Sequence, residues 1–473
     1  MIDFGRDIIG KMAPFLKKRS NQVFLFGGLV VSFFALYAIS FAADERRHLV
    51  PSLSGTPAIP KKEEVEKIGK KFEEISWYGS SIEEPGSCCV TPSHILFGKS
   101  VPSFNRVLMA LSSLDVIIDG NYEDYLEFVH GQSQEIRVSW ASFQNLQARG
   151  RGVLSSFSGL NTGEMRSLVE LAIILSEIGN TETARNKGWV YGIVADRSAD
   201  FIEKAMRLHP EIFPSFSKLN RRQQALLQDL LTFVRFDEIT ELKGVKEAFE
   251  RIKKERRDKE HIEFLDLALF LYSCRLGGAH GDECCYSSPL FTRFAVKNIT
   301  YLLKALLLLN EKSAEEAFRY YLAARADWLG LDSGSALSRV LTKIGAMMHL
   351  YTPAEGKVVK EAFLRLEPEA ITTIVHEFDD FDSKEAICNS EHLATFLQNL
   401  RANGELGNSE REQISNSISF GLPFIVEALA ISKETPNDLP LDFTTVSHFA
   451  AKDLKKLREG KLFIRPDGVV ALH

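Results

Sequence analysis

The chain has 473 residues, with 57 Lys and Arg against 63 Asp and Glu for a net charge of −6, 45% hydrophobic and 25% charged residues, and six cysteines. These proportions belong to a globular protein and exclude a collagen-like, wholly disordered, polytopic membrane or disulfide-dense chain. No basic excess favours nucleic acid, and at roughly 150 residues per domain the length allows two or three domains with a real core.

Residues 1–22 form a short basic tail. Ile2, Phe4, Ile8, Ile9, Met12, Phe15 and Leu16 alternate there with Arg6 and Lys11, a loosely amphipathic stretch suited to a membrane surface or to a solvated tail. Val23 to Ala43 follows, 21 residues without a charge, long enough as a helix to cross a hydrocarbon core of about 30 Å. The later apolar stretches Phe264 to Cys274 and Tyr301 to Leu309 are short and carry Asp266 and Lys304, so they read as buried core helices. With no later competitor, the chain is expected to be a single-pass membrane protein. Lys11, Lys17, Lys18 and Arg19 precede the span and only Arg46 and Arg47 closely follow it, which places the N-terminus in the cytoplasm and the large domain across the membrane. Ala38, Ser40 and Ala42 offer a cleavage site for the competing signal-peptide reading. The apolar run exceeds the roughly 7 to 15 residues usual in such peptides, so the reading adopted is an uncleaved signal-anchor.

Residues 44–60 contain Pro51, Pro57 and Pro60 with Ser and Gly, the composition of a linker. From residue 61 to 473 the pattern is that of one helical domain. Val65, Ile68, Phe72 and Ile75 recur at helical spacing, and Glu164 to Ile178 is bounded by Asn161 and Thr162 as caps and by Gly179 as a stop. Similar patterns predict helices over 103–118, 195–208, 218–235, 237–256, 258–275, 289–309, 313–328, 334–350, 356–366, 384–402, 408–430 and 442–458. Sub-boundaries are expected near 149–163, rich in Gly and Ser, and near 432–440, which holds Pro436 and Pro440. Leu462 to Ala471 alone suggests strands, a terminal β-hairpin turned by Pro466-Asp467-Gly468. The expected fold is all-α, an irregular helical bundle with a solenoid as the alternative, since no repeat signature recurs at 34 residues.

The cysteines are the least random feature. Six scattered over this length give about 0.06 adjacent pairs by chance, yet Cys88-Cys89 and Cys284-Cys285 are both present. His94 follows the first pair and His280 precedes the second. Together the loops hold the inventory of a tetrahedral Cys/His zinc site, although the tight two-residue knuckle is missing. In an extracytoplasmic domain the same four cysteines could instead form one or two disulfides. Either form requires the two loops to be neighbours. Unlinked thiols are the third reading, and Cys274 and Cys388 read as core residues.

The loop Leu276 to Glu283 has a further reading, because Gly277, Gly278 and Gly281 let a backbone approach a ligand while His280 and Asp282 supply a base or metal ligands. A helical metal-dependent hydrolase groups His and Asp in this manner, with His261 and Asp266 as the nearest further donors. The acidic run His376 to Asp382 lacks the glycine and terminal glutamate of a calcium loop. Ser215 and Lys218 have the spacing of a serine–lysine pair without its companion motifs, so they read as a helix start. No phosphate-binding or dinucleotide loop is present in the sequence. The leading functional expectation is therefore a membrane-tethered interaction or scaffold protein with a protein partner and no nucleic acid. Beyond the basic tail the remaining charge of −9 favours neither nucleic acid nor an anionic membrane surface. The hydrolase at His280 and Asp282 is the alternative.

Overall fold

The structure is a computed structural model that describes residues 62–80, 91, 93–157, 159–193, 195, 198–232, 235–255, 259–279, 288, 290–379, 392–434 and 441–473. The segment Val23 to Ala43, the basic tail and the linker 44–60 lie outside the described residues. Those described are predominantly helical, with one two-stranded antiparallel sheet at the C-terminal end. The expected all-α class and terminal hairpin are both observed.

The described residues divide into two compact units, one drawn from 1–190 and 274–296, the other from 191–273 and 297–473. In the first, the helix Pro102–Asp119 packs on Trp140–Ser156 and on Thr162–Ile178. Its buried face carries Val107, Leu111, Leu114 and Ile117, and that of Thr162–Ile178 carries Leu168, Leu171, Ala172 and Leu175, the three- and four-residue spacing of an apolar helical stripe. Thr162–Ile178 begins where the sequence suggests. Asn161 Oδ1 accepts from the Glu164 amide at 2.9 Å while Glu164 Oε2 accepts from the Asn161 amide at 2.9 Å, so two otherwise unpaired amides of the first turn are satisfied together. The 3-10 segment Glu73–Ser80 is fixed to that helix by the buried Tyr78 hydroxyl, which donates to the Ile174 carbonyl at 2.6 Å.

The Gly- and Ser-containing stretch 149–163 is not uniformly irregular, because the helix Trp140–Ser156 runs through its first eight residues. Its buried positions Phe143, Leu146, Gln147, Gly150, Val153 and Leu154 keep helical spacing with a glutamine and a glycine among them. Gly278 shows what a small residue contributes elsewhere in this unit: a Cβ there would meet the Ala110 nitrogen and the Arg106 oxygen, each at 2.5 Å.

The second unit centres on a core supplied by Ala336–Met347, Pro353–Phe363, Pro368–Phe378, Leu393–Ala402, Glu410–Glu434, Thr444–Lys452 and the hairpin. Strands Leu462–Ile464 and Val470–Leu472 pair with Phe463 opposite Ala471, and Gly468 closes the turn at φ 85°, a left-handed conformation that favours glycine. Two expected helices are each interrupted. The stretch 237–256 divides into Phe236–Thr240 and Val245–Glu255, because Leu242 and Gly244 adopt φ of 59° and 54°. The stretch 442–458 divides at Asp453, whose Oδ1 accepts from the Lys456 amide at 3.0 Å and so starts the next helix.

One further expectation is corrected. Among the described residues, Glu410–Glu434 is long and apolar enough to cross a membrane by length and composition, so the chain does contain a later competitor to Val23 to Ala43. Half of its apolar window is nevertheless buried within the protein. Ile414, Ile418, Leu422, Ile425 and Leu429 enter the core of the second unit, where the helix packs on Pro353–Phe363 and Leu393–Ala402.

Candidate functional site

Of the residues singled out by sequence, Cys88, Cys89, His280, Asp282, Cys284 and Cys285 lie outside the described residues, as does Cys388. His94 is described, on the short helix Ser93–Phe97. Its Nδ1 accepts from the Thr91 amide at 3.1 Å and lies 2.9 Å from the Thr91 hydroxyl. An amide can only donate, so in the neutral ring the proton sits on Nε2. A metal at Nε2 requires the opposite tautomer, with Nδ1 donating, so metal binding there would break the Thr91 contact. Among the described residues no group of three or more His, Cys, Asp or Glu is placed to hold a metal ion. Cys274 is buried as a free thiol, and burial pushes its pKa up strongly, consistent with a core role. Ser215 lies in the short helix Pro214–Ser217, with Lys218 as its C-cap, which is the helix-start reading.

The densest unexplained polar arrangement lies in the second unit, on the helix Ala314–Trp328. Ser313 starts the helix with a capping box: its hydroxyl accepts from the Glu316 amide at 3.1 Å, and Glu316 Oε2 accepts from the Ser313 amide at 2.9 Å. The buried face then runs through Ala317, Phe318, Tyr321, Leu322, Arg325 and Trp328. A guanidinium therefore occupies an apolar stripe, and Arg325 is only 1% exposed.

Its surroundings are aromatic, with Lys297 and Lys304 on one side and the carboxylates of Glu241, Glu355 and Asp327 acting on the tyrosines. The guanidinium carbon lies 5.1 Å from the Trp328 ring centroid and 5.2 Å from that of Tyr351. Lys297 Nζ sits 4.4 Å from the same Trp328 ring, and Lys304 Nζ sits 4.9 Å from the ring of Tyr301. Tyr301 meets Trp328 edge-on, with centroids 5.4 Å apart. The Tyr321 hydroxyl donates to Asn298 Oδ1 at 2.6 Å. Burial pushes the Tyr321 phenol up to about 12 against the opposing charge of Arg325, and burial likewise raises Tyr351 against Arg325 and Arg401. At neutral pH these phenols stay protonated and provide no anion for the guanidinium.

Among the described residues, three nitrogens in this cluster have no hydrogen-bond partner: Arg325 Nη1 and Nη2, and Trp328 Nε1. Lys343 shows the usual alternative. It is fully buried too, yet its Nζ donates to the Phe378 carbonyl at 3.0 Å.

Tyr351 is held against Arg325 by a turn that its neighbours clamp. His349, at φ 55°, ends the helix Ala336–Met347, where the Leu350 amide donates to the Gly345 carbonyl at 2.8 Å. That left-handed position usually belongs to glycine. Gln398 Nε2 donates to the Met347 carbonyl at 2.8 Å and to Glu241 Oε1 at 3.0 Å, and Arg401 Nη1 donates to the Met348 carbonyl at 2.9 Å. Arg401 Nη2 also pairs with Glu410 at 2.6 Å. Glu355 Oε2 accepts from the Tyr351 and Thr352 amides at 2.9 and 2.8 Å, which ties the turn to the next helix. Burial works against ionisation of Glu241, but the His349 hydrogen bond and charge, together with Lys243, hold its carboxyl below the ordinary glutamate value.

Comparison of the chain with protein-family models, with curated proteins and with solved structures finds no match.

Proposed function

We propose that the chain is a single-pass, membrane-tethered interaction protein: a cytoplasmic N-terminus, a spanning helix over Val23 to Ala43, a proline-containing linker over 44–60, and an irregular helical bundle that presents a surface to a protein partner across the membrane. The observation that carries this reading is the uncharged run of 21 residues, bounded on its N-terminal side by Lys17, Lys18 and Arg19. The interaction half is supported by the helix Glu182–Val190, whose Trp189 and Val190 are 87% and 77% exposed. Tryptophan is among the residue types that most often anchor an interface when a partner covers them.

Carbonate washing of membranes tests the tether. The full-length protein is expected in the pellet with its N-terminus intact, and removal of residues 1–60 is expected to release a soluble, cooperatively folded helical fragment. Recovery of a soluble chain beginning near Ala42 or Ala43 would replace the anchor with a cleaved signal peptide. Aggregation of the 61–473 fragment would assign its folded part to the membrane surface instead.

A further inference from the structure

The geometry points to a binding site for a small oxyanion, a carboxylate or a phosphate group, between Arg325, Trp328 and Tyr351. A buried ionised group without a partner is costly enough that native structures pair or solvate it, and a buried donor with no acceptor calls for a missing ion or water. Here the orphaned donors come as a set. Arg325 Nη1 and Nη2 form one fork, and Trp328 Nε1, one helical turn further along the same buried face, adds a third N–H. A planar oxyanion accepts two parallel bonds from such a fork and has lone pairs left for the indole.

The carboxylates of Glu241 and Glu355 act on Tyr351 and that of Asp327 on Tyr301, but none of them reaches the guanidinium nitrogens Nη1 and Nη2. Among the described residues no acceptor pairs with Nη1 or Nη2; the Tyr321 hydroxyl lies within reach of the Arg325 side chain but is neutral, and Lys297, beside the indole face, adds to the positive potential. The hydroxyls nearby belong to neutral tyrosines, and an apolar ligand would leave all three donors unsatisfied. A single water could accept from one or two of them and would leave the guanidinium charge uncompensated. An anion answers both the hydrogen-bond count and the charge. The rings of Trp328 and Tyr351, tilted 46° to each other, both lie about 5 Å from the guanidinium carbon, so the donors are confined before the ligand arrives. The inference does not depend on the membrane tether.

The test uses the full-length protein in detergent, titrated with sodium phosphate and separately with sodium acetate, with ionic strength held constant by sodium chloride. Thermal midpoint and tryptophan emission are followed together. The expected result is a saturable rise in midpoint with a matching emission change in at least one of the two titrations; response to acetate alone assigns a carboxylate ligand, and response to phosphate alone a phosphate group. Arg325→Met is expected to abolish the saturable response. In chloride alone it should have a midpoint at or above that of the unsubstituted protein, because a buried unpaired charge has been replaced by a side chain of similar reach. Trp328→Phe keeps the ring and removes only the N–H; it should fold normally, lose the emission change and bind several-fold more weakly. No saturable response to either anion overturns the site. So does a response that survives Arg325→Met, or an Arg325→Met midpoint well below that of the unsubstituted protein in chloride, which would mean that the guanidinium is already satisfied within the fold.

Discussion

Glycine at two helical positions provides a matched test of the packing. Gly356 lies in the helix Pro353–Phe363, and a Cβ there would stand 2.0 Å from the Leu329 carbonyl oxygen and 2.8 Å from the Leu329 carbonyl carbon. Even a close carbon–oxygen contact needs about 3.3 Å, so the two backbones must separate by roughly 1.3 Å. Neither moves easily. Leu329 is tied by its amide to the Ala326 carbonyl, and Gly330, at φ 62°, already faces Pro353. Alanine gains about 1 kcal/mol over glycine in a helix interior, whereas overpacking costs about 1 to 3 kcal/mol and more when backbone must shift. Gly356→Ala is therefore expected to be destabilising by about 2 kcal/mol. Gly152, in the helix Trp140–Ser156, is exposed, with nothing within 4 Å of the added Cβ, so Gly152→Ala should stabilise by about 0.5 to 1 kcal/mol. Urea unfolding followed by far-ultraviolet circular dichroism compares the pair. A Gly356→Ala protein as stable as its parent, or one that gains as much as Gly152→Ala, would refute the close approach of these two segments.

Two further outcomes are expected. Cys274, buried with its thiol pushed up by desolvation, should stay unmodified by iodoacetamide in the native protein and react only after denaturation; peptide mapping that finds it alkylated at the rate of an exposed thiol would contradict its placement. Glu241 should contribute to acid sensitivity, because a carboxyl held below its ordinary value in the folded protein stabilises the fold above the unfolded value, about 4.3, and loses that contribution as pH falls through the folded value. Glu241→Gln is expected to flatten the dependence of the urea midpoint between about pH 5 and pH 3, and an unchanged acid slope would mean that His349 and Lys243 do not hold this carboxylate.

What could be read from the sequence follows from which physical forces leave a one-dimensional trace. Helices whose cores are made of large apolar residues show it plainly, and Thr162–Ile178 and Ala314–Trp328 lie within two residues of their expected bounds. Trp140–Ser156 carries no such trace, because its buried stripe contains Gln147 and Gly150, which an apolar periodicity does not register, while Gly150 and Gly152 suggest a break. Gln147 is tolerated there because its Nε2 donates to the Gly120 carbonyl at 2.8 Å, a tertiary bond with no local signature. The splits at Leu242 and Asp453 are likewise backbone events that side-chain patterning does not encode.

For the same reason the cysteine and histidine loops stand out in the sequence and Arg325 does not. Clustering of rare residues is visible in sequence, whereas an arginine is common and is presumed solvated. A trace was nevertheless present: Arg325 falls four residues after Tyr321 and seven after Phe318, on the stripe that Trp328 continues, so the helical phase already placed a charge among apolar neighbours. Lys343, between Leu341 and Ile344, has the same trace and resolves differently, through a carbonyl partner. Phase therefore identifies which charges are buried, and only the tertiary contacts tell which of them are satisfied.

That distinction between phase and composition also separates the two apolar segments. Length and mean hydropathy admit both Val23 to Ala43 and Glu410–Glu434 as spans. In Glu410–Glu434 the buried residues fall at three- and four-residue intervals from Ile414 to Leu429, while Glu412, Ser419, Glu427 and Ala430 face solvent and Pro423 interrupts the apolar run. A helix with one apolar face is matched by a protein core on that side and by water on the other. Val23 to Ala43 contains no charged residue, so a helix formed over it, as proposed, would be uncharged on every face and would find matching surroundings in a bilayer without any partner helix. The placement of charge, more than its average along the chain, is what makes the first segment the stronger basis for the proposed tether.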